Sequence, residues 1–257
     1  MIPASILYFA YVAAVALLLP GLPRHARRSA VAAAAAGLIL TAITAATTTF
    51  WLRDVLLPPI LLLVAYWASG LLWVAPMPRV ERALGVIDAR LKIPPLVRRM
   101  PRSICELLEL AYAGVYPLVP VALVLHLAWG PDPDAAHFWT VVLVTDYICF
   151  AMLPWIQTRP PRGIEACEPW HSGFRALNLK LLGQTSIGVN TVPSGHAAEA
   201  LAAALLLADA PAPIPAAMAV AAMAVSAGAV LGRYHYAVDA LAGWAVAGLV
   251  WMVLGKG

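Results

Sequence analysis

The sequence predicts an all-α, polytopic helical bundle in a membrane, built as one domain of about eight spans, with six or seven as alternatives. Three observations point there. The 257 residues are 62% hydrophobic and only 12% charged, whereas a soluble domain carries about a quarter charged residues. Mean hydropathy is +0.82. Apolar runs near the roughly 20 residues that cross a bilayer recur along the chain, at about 2–20, 29–52, 55–75, 104–129, 136–157, 194–210, 212–232 and 236–255.

The first run has no basic residues before it and no small-residue cleavage site followed by polar chain. It is therefore expected as a retained span and not a signal peptide. The second run is rich in alanine and threonine and is the weakest, while Pro58 and Pro59 blur the start of the third. Residues 1–75 thus make the N-terminal spans. Segment 76–103 mixes basic residues with Val80, Leu84, Val86, Ile87, Leu91, Ile93, Leu96 and Val97, and Pro94-Pro95 divides it. That pattern predicts one or two interfacial helices on anionic headgroups, with a solvated connecting loop as the plainer alternative. Residues 104–255 carry the remaining five spans.

With eight spans, the loops 21–28, 76–103, 158–193 and 233–235 share one face. Outside the last two, that face carries Arg24, Arg27, Arg28, Arg79, Arg82, Arg90, Lys92, Arg98, Arg99 and Arg102, against Arg53 and Lys256 on the other. Positive loops stay inside, so a multi-pass protein of the cell membrane is expected, with the first face cytoplasmic. The expected partner on these grounds is the bilayer, and not nucleic acid. Cys105, Cys149 and Cys167 lack metal-ligand spacing and are read as packing or loop residues. No metal and no cofactor are expected.

Ionisable groups inside a membrane are costly and need a reason. Arg159 and Arg162 follow the fifth span, His196 opens the sixth, and Arg233, His235 and Asp239 join the seventh to the eighth. Alternation of spans brings all of them to one membrane face. His235 and Asp239 are four apart and share a helix face. The carboxylate can accept a bond from one ring nitrogen and leave the other free as a nucleophile. In Pro193-Ser194-Gly195-His196, proline suits a first helical turn, Ser194 can cap it, and Gly195 lets backbone N–H groups approach a ligand. A helix start suits a phosphate, with His196 beside it. Glu199 follows His196 by three on the same helix face, so it is expected to hydrogen-bond and tune that imidazole, or else to be a partly hydrated interfacial carboxylate. Asp146, in the fifth span, is expected to pair with His126 or a threonine. Asp132 and Asp134 read as turn formers.

Arg159-Pro160, then Pro193-Ser194-Gly195-His196, then His235 with Asp239 four later, resembles the type 2 phosphatidic acid phosphatase superfamily over about residues 136–255. The resemblance implies a helical bundle and a metal-independent, two-step phosphoryl transfer. His235 would attack phosphorus, Asp239 would orient it, and His196 would protonate the leaving oxygen. Arg159, with the N–H groups around Ser194 and Gly195, would hold the phosphate. Two departures stand out. Met152 occupies the place of the first motif's lysine, and Gly228 and Ala229 occupy the places of the third motif's serine and arginine. Arg162 and Arg233 are the favoured replacements, with His171, Arg175 and Lys180 also near. Three functions fit: a lipid phosphatase acting on a phosphomonoester or pyrophosphate, a lipid phosphotransferase similar to the inositol phosphorylceramide synthases, and a non-catalytic lipid-binding protein on a degenerate scaffold.

Overall fold

The computed structural model describes residues 1–130, 133–164 and 170–255. Every apolar run becomes helix. The order is α1 (Ile2–Leu18), α2 (Arg24–Ala46), α3 (Leu57–Gly70), α4 (Pro78–Arg90), α5 (Ile93–Arg98), α6 (Arg102–Ala113), α7 (Val115–Trp129), α8 (Ala135–Ala151), α9 (Gly173–Thr185), α10 (Gly195–Leu205), α11 (Ile214–Leu231) and α12 (Ala237–Leu254). A wide π-helical turn, Trp51–Leu56, leads directly into α3. The all-helical membrane class is thus as expected.

The span count is lower than expected. Among the described residues four helices are long and apolar enough to cross a membrane, or five if α6 and α7, bent by 58°, form one span. The shortfall is one of length. α1 and α8 are apolar but stop at 17 residues, and α10 has only 11, against the roughly 20 a full crossing takes. The α6–α7 bend falls at Gly114, ahead of Pro117 and Pro120. Segment 76–103 is helical as expected, but it is more than a headgroup-facing helix, because Glu81 and Asp88 on α4 are buried.

α10 lies at the centre, against α7, α8, α11 and α12. Its Ala197, Ala198, Ala200, Ala202, Ala203 and Ala204 are all buried, and such small side chains let helices approach closely. Against α12 the approach is closest at Gly243, where an added Cβ would stand 2.5 Å from the Ser194 carbonyl oxygen. Gly228 is similarly confined, since a Cβ there would meet the Leu108 carbonyl of α6 at 2.5 Å. The position where the family motif has serine is therefore filled by a helix–helix contact.

α9 converts much of the long 158–193 connection into helix and is fastened by one polar cluster. Glu109 of α6 accepts from Arg175 at 2.9 Å, Asn178 at 2.7 Å and the Tyr234 hydroxyl at 2.6 Å. Arg175 also donates to the Gly232 carbonyl. Both charges are buried, with side-chain exposures of 2% and 0%. Removing one partner of such a pair leaves the other charge buried and uncompensated, at a cost of about 3 kcal/mol or more. Glu109→Ala is expected to destabilise the detergent-solubilised protein by that amount in denaturant melts, and Arg102→Ala, on an exposed pair, by less than about 1 kcal/mol.

Candidate active site

His235 and Asp239 sit where α11 hands over to α12. Asp239 is the third residue of α12, and its Oδ2 accepts from the Tyr236 backbone N–H at 2.8 Å, closing the first turn. The same oxygen accepts from Asn190 Nδ2 at 2.8 Å and lies 3.5 Å from His235 Nδ1. Asp239 is wholly buried and His235 nearly so. His235 lies before α12 begins, so the two residues do not share a helix face as their spacing predicts; the carboxylate approaches the Nδ1 side of the ring without a hydrogen bond.

The backbone of Asp239 does a second job, because its carbonyl accepts from the Ser194 N–H at 2.9 Å. Ser194 in turn caps α10, its Oγ accepting from Ala197 N–H at 3.4 Å. The N–H groups of Gly195 and His196, first in the helix, have no intrahelical acceptor. His196 projects from that turn with its ring stacked on Tyr112 (centroids 5.4 Å apart) and edge-on to Tyr116 (5.8 Å). The two histidine rings are 6.3 Å apart. Tyr112 stacks flat on Tyr234 at 4.1 Å, so the aromatic stack runs back to the Glu109 cluster. Burial and then its bond to Glu109 push the Tyr234 hydroxyl well above its ordinary value, so it remains a donor.

Both histidines face a cavity of about 500 Å³. Its walls are mostly apolar, from Leu62, Leu63, Val115, Val119 and Phe150, and Arg162, Gly195, Glu199 and Asp146 also line it. Such a mostly apolar pocket with a few convergent polar groups is the usual form of a ligand site.

The three candidate arginines are used differently. Arg162 reaches the cavity, its guanidinium 4.9 Å from the centre of the Tyr234 ring, and has no carboxylate partner among the described residues. Arg159 turns to α4, where Nε and Nη2 bind the Glu81 carboxylate at 3.0 and 2.8 Å while its backbone N–H binds it at 2.8 Å. Arg233, in the left-handed region at φ 61°, is buried and binds Asp88 at 2.6 Å. The other Asp88 oxygen accepts from the Ala237 N–H. Arg159 and Arg233 therefore line no part of the cavity and instead fix the loops on either side of it. Of the remaining cations, Arg175 is buried in the Glu109 cluster, while His171 and Lys180 are exposed. Met152 lies at the end of α8, and Ala229, where the motif has arginine, is buried, its carbonyl accepting from the N–H groups of Tyr234 and His235.

Glu199 makes no hydrogen bond to His196, which is held by tyrosines instead. Asp146 bonds neither His126 nor a threonine; both its oxygens are buried without a hydrogen-bond partner. Cys105 and Cys149 are buried and free, as expected of packing residues. Cys167, Asp132 and Lys256 lie outside the described residues. The residues that spacing did not reveal are Glu81, Asp88, Glu109, Asn190 and the three tyrosines, which come from distant parts of the chain. Glu81 and Asp88 carried a signal nonetheless: two acids seven apart within a basic segment share a helix face.

Comparison with protein families finds a match described as the PAP2 superfamily over residues 75–253. It begins well before residue 136, and so takes in α4 with its two acids. Comparisons with curated proteins and with solved structures give no match.

The Arg159 hydrogen bonds hold the Glu81 carboxyl below its ordinary value. A depressed carboxyl stabilises the fold above its unfolded value, about 4.3, and loses that contribution as pH falls through the lowered folded value. Melting temperatures of wild type and Glu81→Gln are expected to differ near pH 7 and to converge only once pH falls below the lowered folded value.

Proposed function

Because the chain belongs to the PAP2 superfamily, we propose that it is a membrane lipid phosphatase that cleaves a lipid phosphomonoester or pyrophosphate through a phosphohistidine. The observation that carries this reading is the pairing of His235, backed by Asp239, with His196 across one cavity at 6.3 Å between rings. A nucleophile and an acid on opposite sides of one phosphorus require that arrangement.

In the first step the His235 nitrogen away from Asp239 attacks phosphorus, an N–P bond forms and the P–O bond to the lipid breaks. His196 gives its proton to the departing oxygen. The charge that develops on His235 is met by the Asp239 carboxylate, which Asn190 and the Tyr236 N–H keep in place. Arg162 and the open N–H groups of Gly195 and His196 stabilise the equatorial oxygens. In the second step His196 takes a proton from water, the water oxygen attacks phosphorus, the N–P bond breaks and inorganic phosphate leaves. An alcohol in place of water would make the same chain a phosphotransferase. Arg159 and Arg233 act here through position, since their guanidinium groups are occupied by Glu81 and Asp88.

Purified protein is expected to release phosphate from one or more of phosphatidate, phosphatidylglycerophosphate, phosphatidylinositol phosphate and polyprenyl phosphates. His235→Ala should lower the rate by on the order of a thousandfold. Release retained in that variant would overturn the phosphohistidine step, and no release by the wild type from any of the panel would leave a lipid-binding protein. Phosphate recovered on added alcohol, with none free, would assign transfer.

The distribution of cations supports placing the site on the cytoplasmic face. With Cys167 replaced by serine and a cysteine put at exposed Lys180, an impermeant maleimide is expected to label the protein in broken cells but not in intact ones. Labelling in intact cells would reverse the orientation.

A further inference from the structure

Among the described residues Arg162 is the one arginine or lysine that lines the cavity, and its guanidinium lies over an aromatic ring, with Cζ 4.9 Å from the centre of Tyr234. Its backbone is held there too, because its N–H donates to the carbonyl of Arg233, the neighbour of Tyr234, at 3.0 Å. Cation–π attraction draws on the negative face of a ring and leaves the guanidinium N–H donors available. An arginine placed in this way is steadied and still has its hydrogen bonds to give a ligand. Arg159 and Arg233 are steadied by the opposite means, since their donors are taken by Glu81 and Asp88.

The ring beside Arg162 is itself closely fixed. The Tyr234 N–H donates to the Ala229 carbonyl at 2.9 Å, its hydroxyl donates to Glu109 at 2.6 Å, and its ring lies flat on Tyr112 with centroids 4.1 Å and planes 2° apart. Two glycines make room for this pair. A Cβ added at Gly232 would stand 2.6 Å from Tyr234 Cε2, and one added at Gly228 would stand 3.1 Å from Tyr112 Cβ. Arg175 also lies over the Tyr234 ring, at 5.5 Å, but its guanidinium donates to Glu109 and to the Gly232 carbonyl. It belongs to the fixing of Tyr234 and does not line the cavity. Gly228 and Ala229, where the third motif has serine and arginine, thus leave space to the ring pair, and a cation reaches the cavity beside that pair instead.

We propose that Tyr234 is a positioning residue for Arg162: its ring face holds the guanidinium at the cavity wall with its donors open to phosphate. This rests on the reading of the cavity as a phosphate site.

Tyr234→Phe and the same protein with pentafluorophenylalanine at that position test the proposal, because the two rings have nearly one shape while fluorine removes the negative face that a cation needs. The dissociation constant for inorganic phosphate is expected to stay within about threefold of wild type in Tyr234→Phe and to rise about tenfold with the fluorinated ring, the scale of a desolvated cation–π contact. In an Arg162→Ala background the two rings should bind phosphate equally, since the contact in which they differ is gone. Equal affinities with Arg162 present, or the same difference without it, would overturn the proposal. A second measurement needs no ring variant to fold. In wild-type protein the Arg162 Nε–H NMR signal, identified by its loss in Arg162→Lys, should lie upfield of free arginine through the ring current of Tyr234, and a signal at the ordinary position would also overturn it. The expected affinity pattern without phosphate release from any lipid of the panel would remove the catalytic reading and leave the positioning role supported. Failure of the wild type to bind phosphate would overturn both.

Discussion

The site depends on how Asp239 is held. One buried residue accepts a side-chain bond from Asn190, a backbone bond from Tyr236 and the approach of His235, while its carbonyl takes the Ser194 N–H. Two segments far apart in sequence, 190–194 and 235–239, thereby meet at one carboxylate and the peptide group beside it. The hydrogen bonds offset the cost of a fully buried charge. Both fall on Oδ2, the oxygen that lies 3.5 Å from His235 Nδ1. Asn190 is tied further by donating to Thr158 Oγ1 at 3.1 Å and by the paired backbone of those two residues, so the loop after α8 is fastened to the same centre.

A second constraint comes from charge balance outside the cavity. α4 and α6 supply Glu81, Asp88 and Glu109; the first two take Arg159 and Arg233 from loops, and Glu109 takes Arg175 from α9. This ordering leaves Arg162 as the cation at the cavity wall and makes the others structural. The family match, which begins at residue 75, takes in α4 and its two ion-paired acids. Gly228 and Ala229 fit the same picture, because the close approach of α6 to α11 leaves no room for larger side chains there.

Much of this was legible in the sequence. Composition and run length gave the helical membrane class, and the motifs named His196, His235 and Asp239, which meet at one place through a loop and a helix cap and not through a shared helix face. The number of full crossings was not legible, since apolar runs such as 194–210 extend past the helices they form and their prolines and turns end those helices early. Nor could the fates of the arginines be read. Arg159 and Arg233 look like phosphate ligands by position, yet their partners lie 78 and 145 residues away, and pairing over such distances is decided by packing. Glu199 lines the same cavity as His196 but makes no hydrogen bond to it, and the other carboxylate there, Asp146, comes from α8, which no spacing within one helix can reveal.

α10 carries His196 on a shaft in which six of the eleven residues are alanine, all buried. Alanine has no rotamers to lose or exchange, so at those contacts a displacement is taken up by backbone and not by turning a side chain. The helix then behaves as a stiff lever, and the separation of the two histidines is set by its backbone contacts as much as by the groups that touch them.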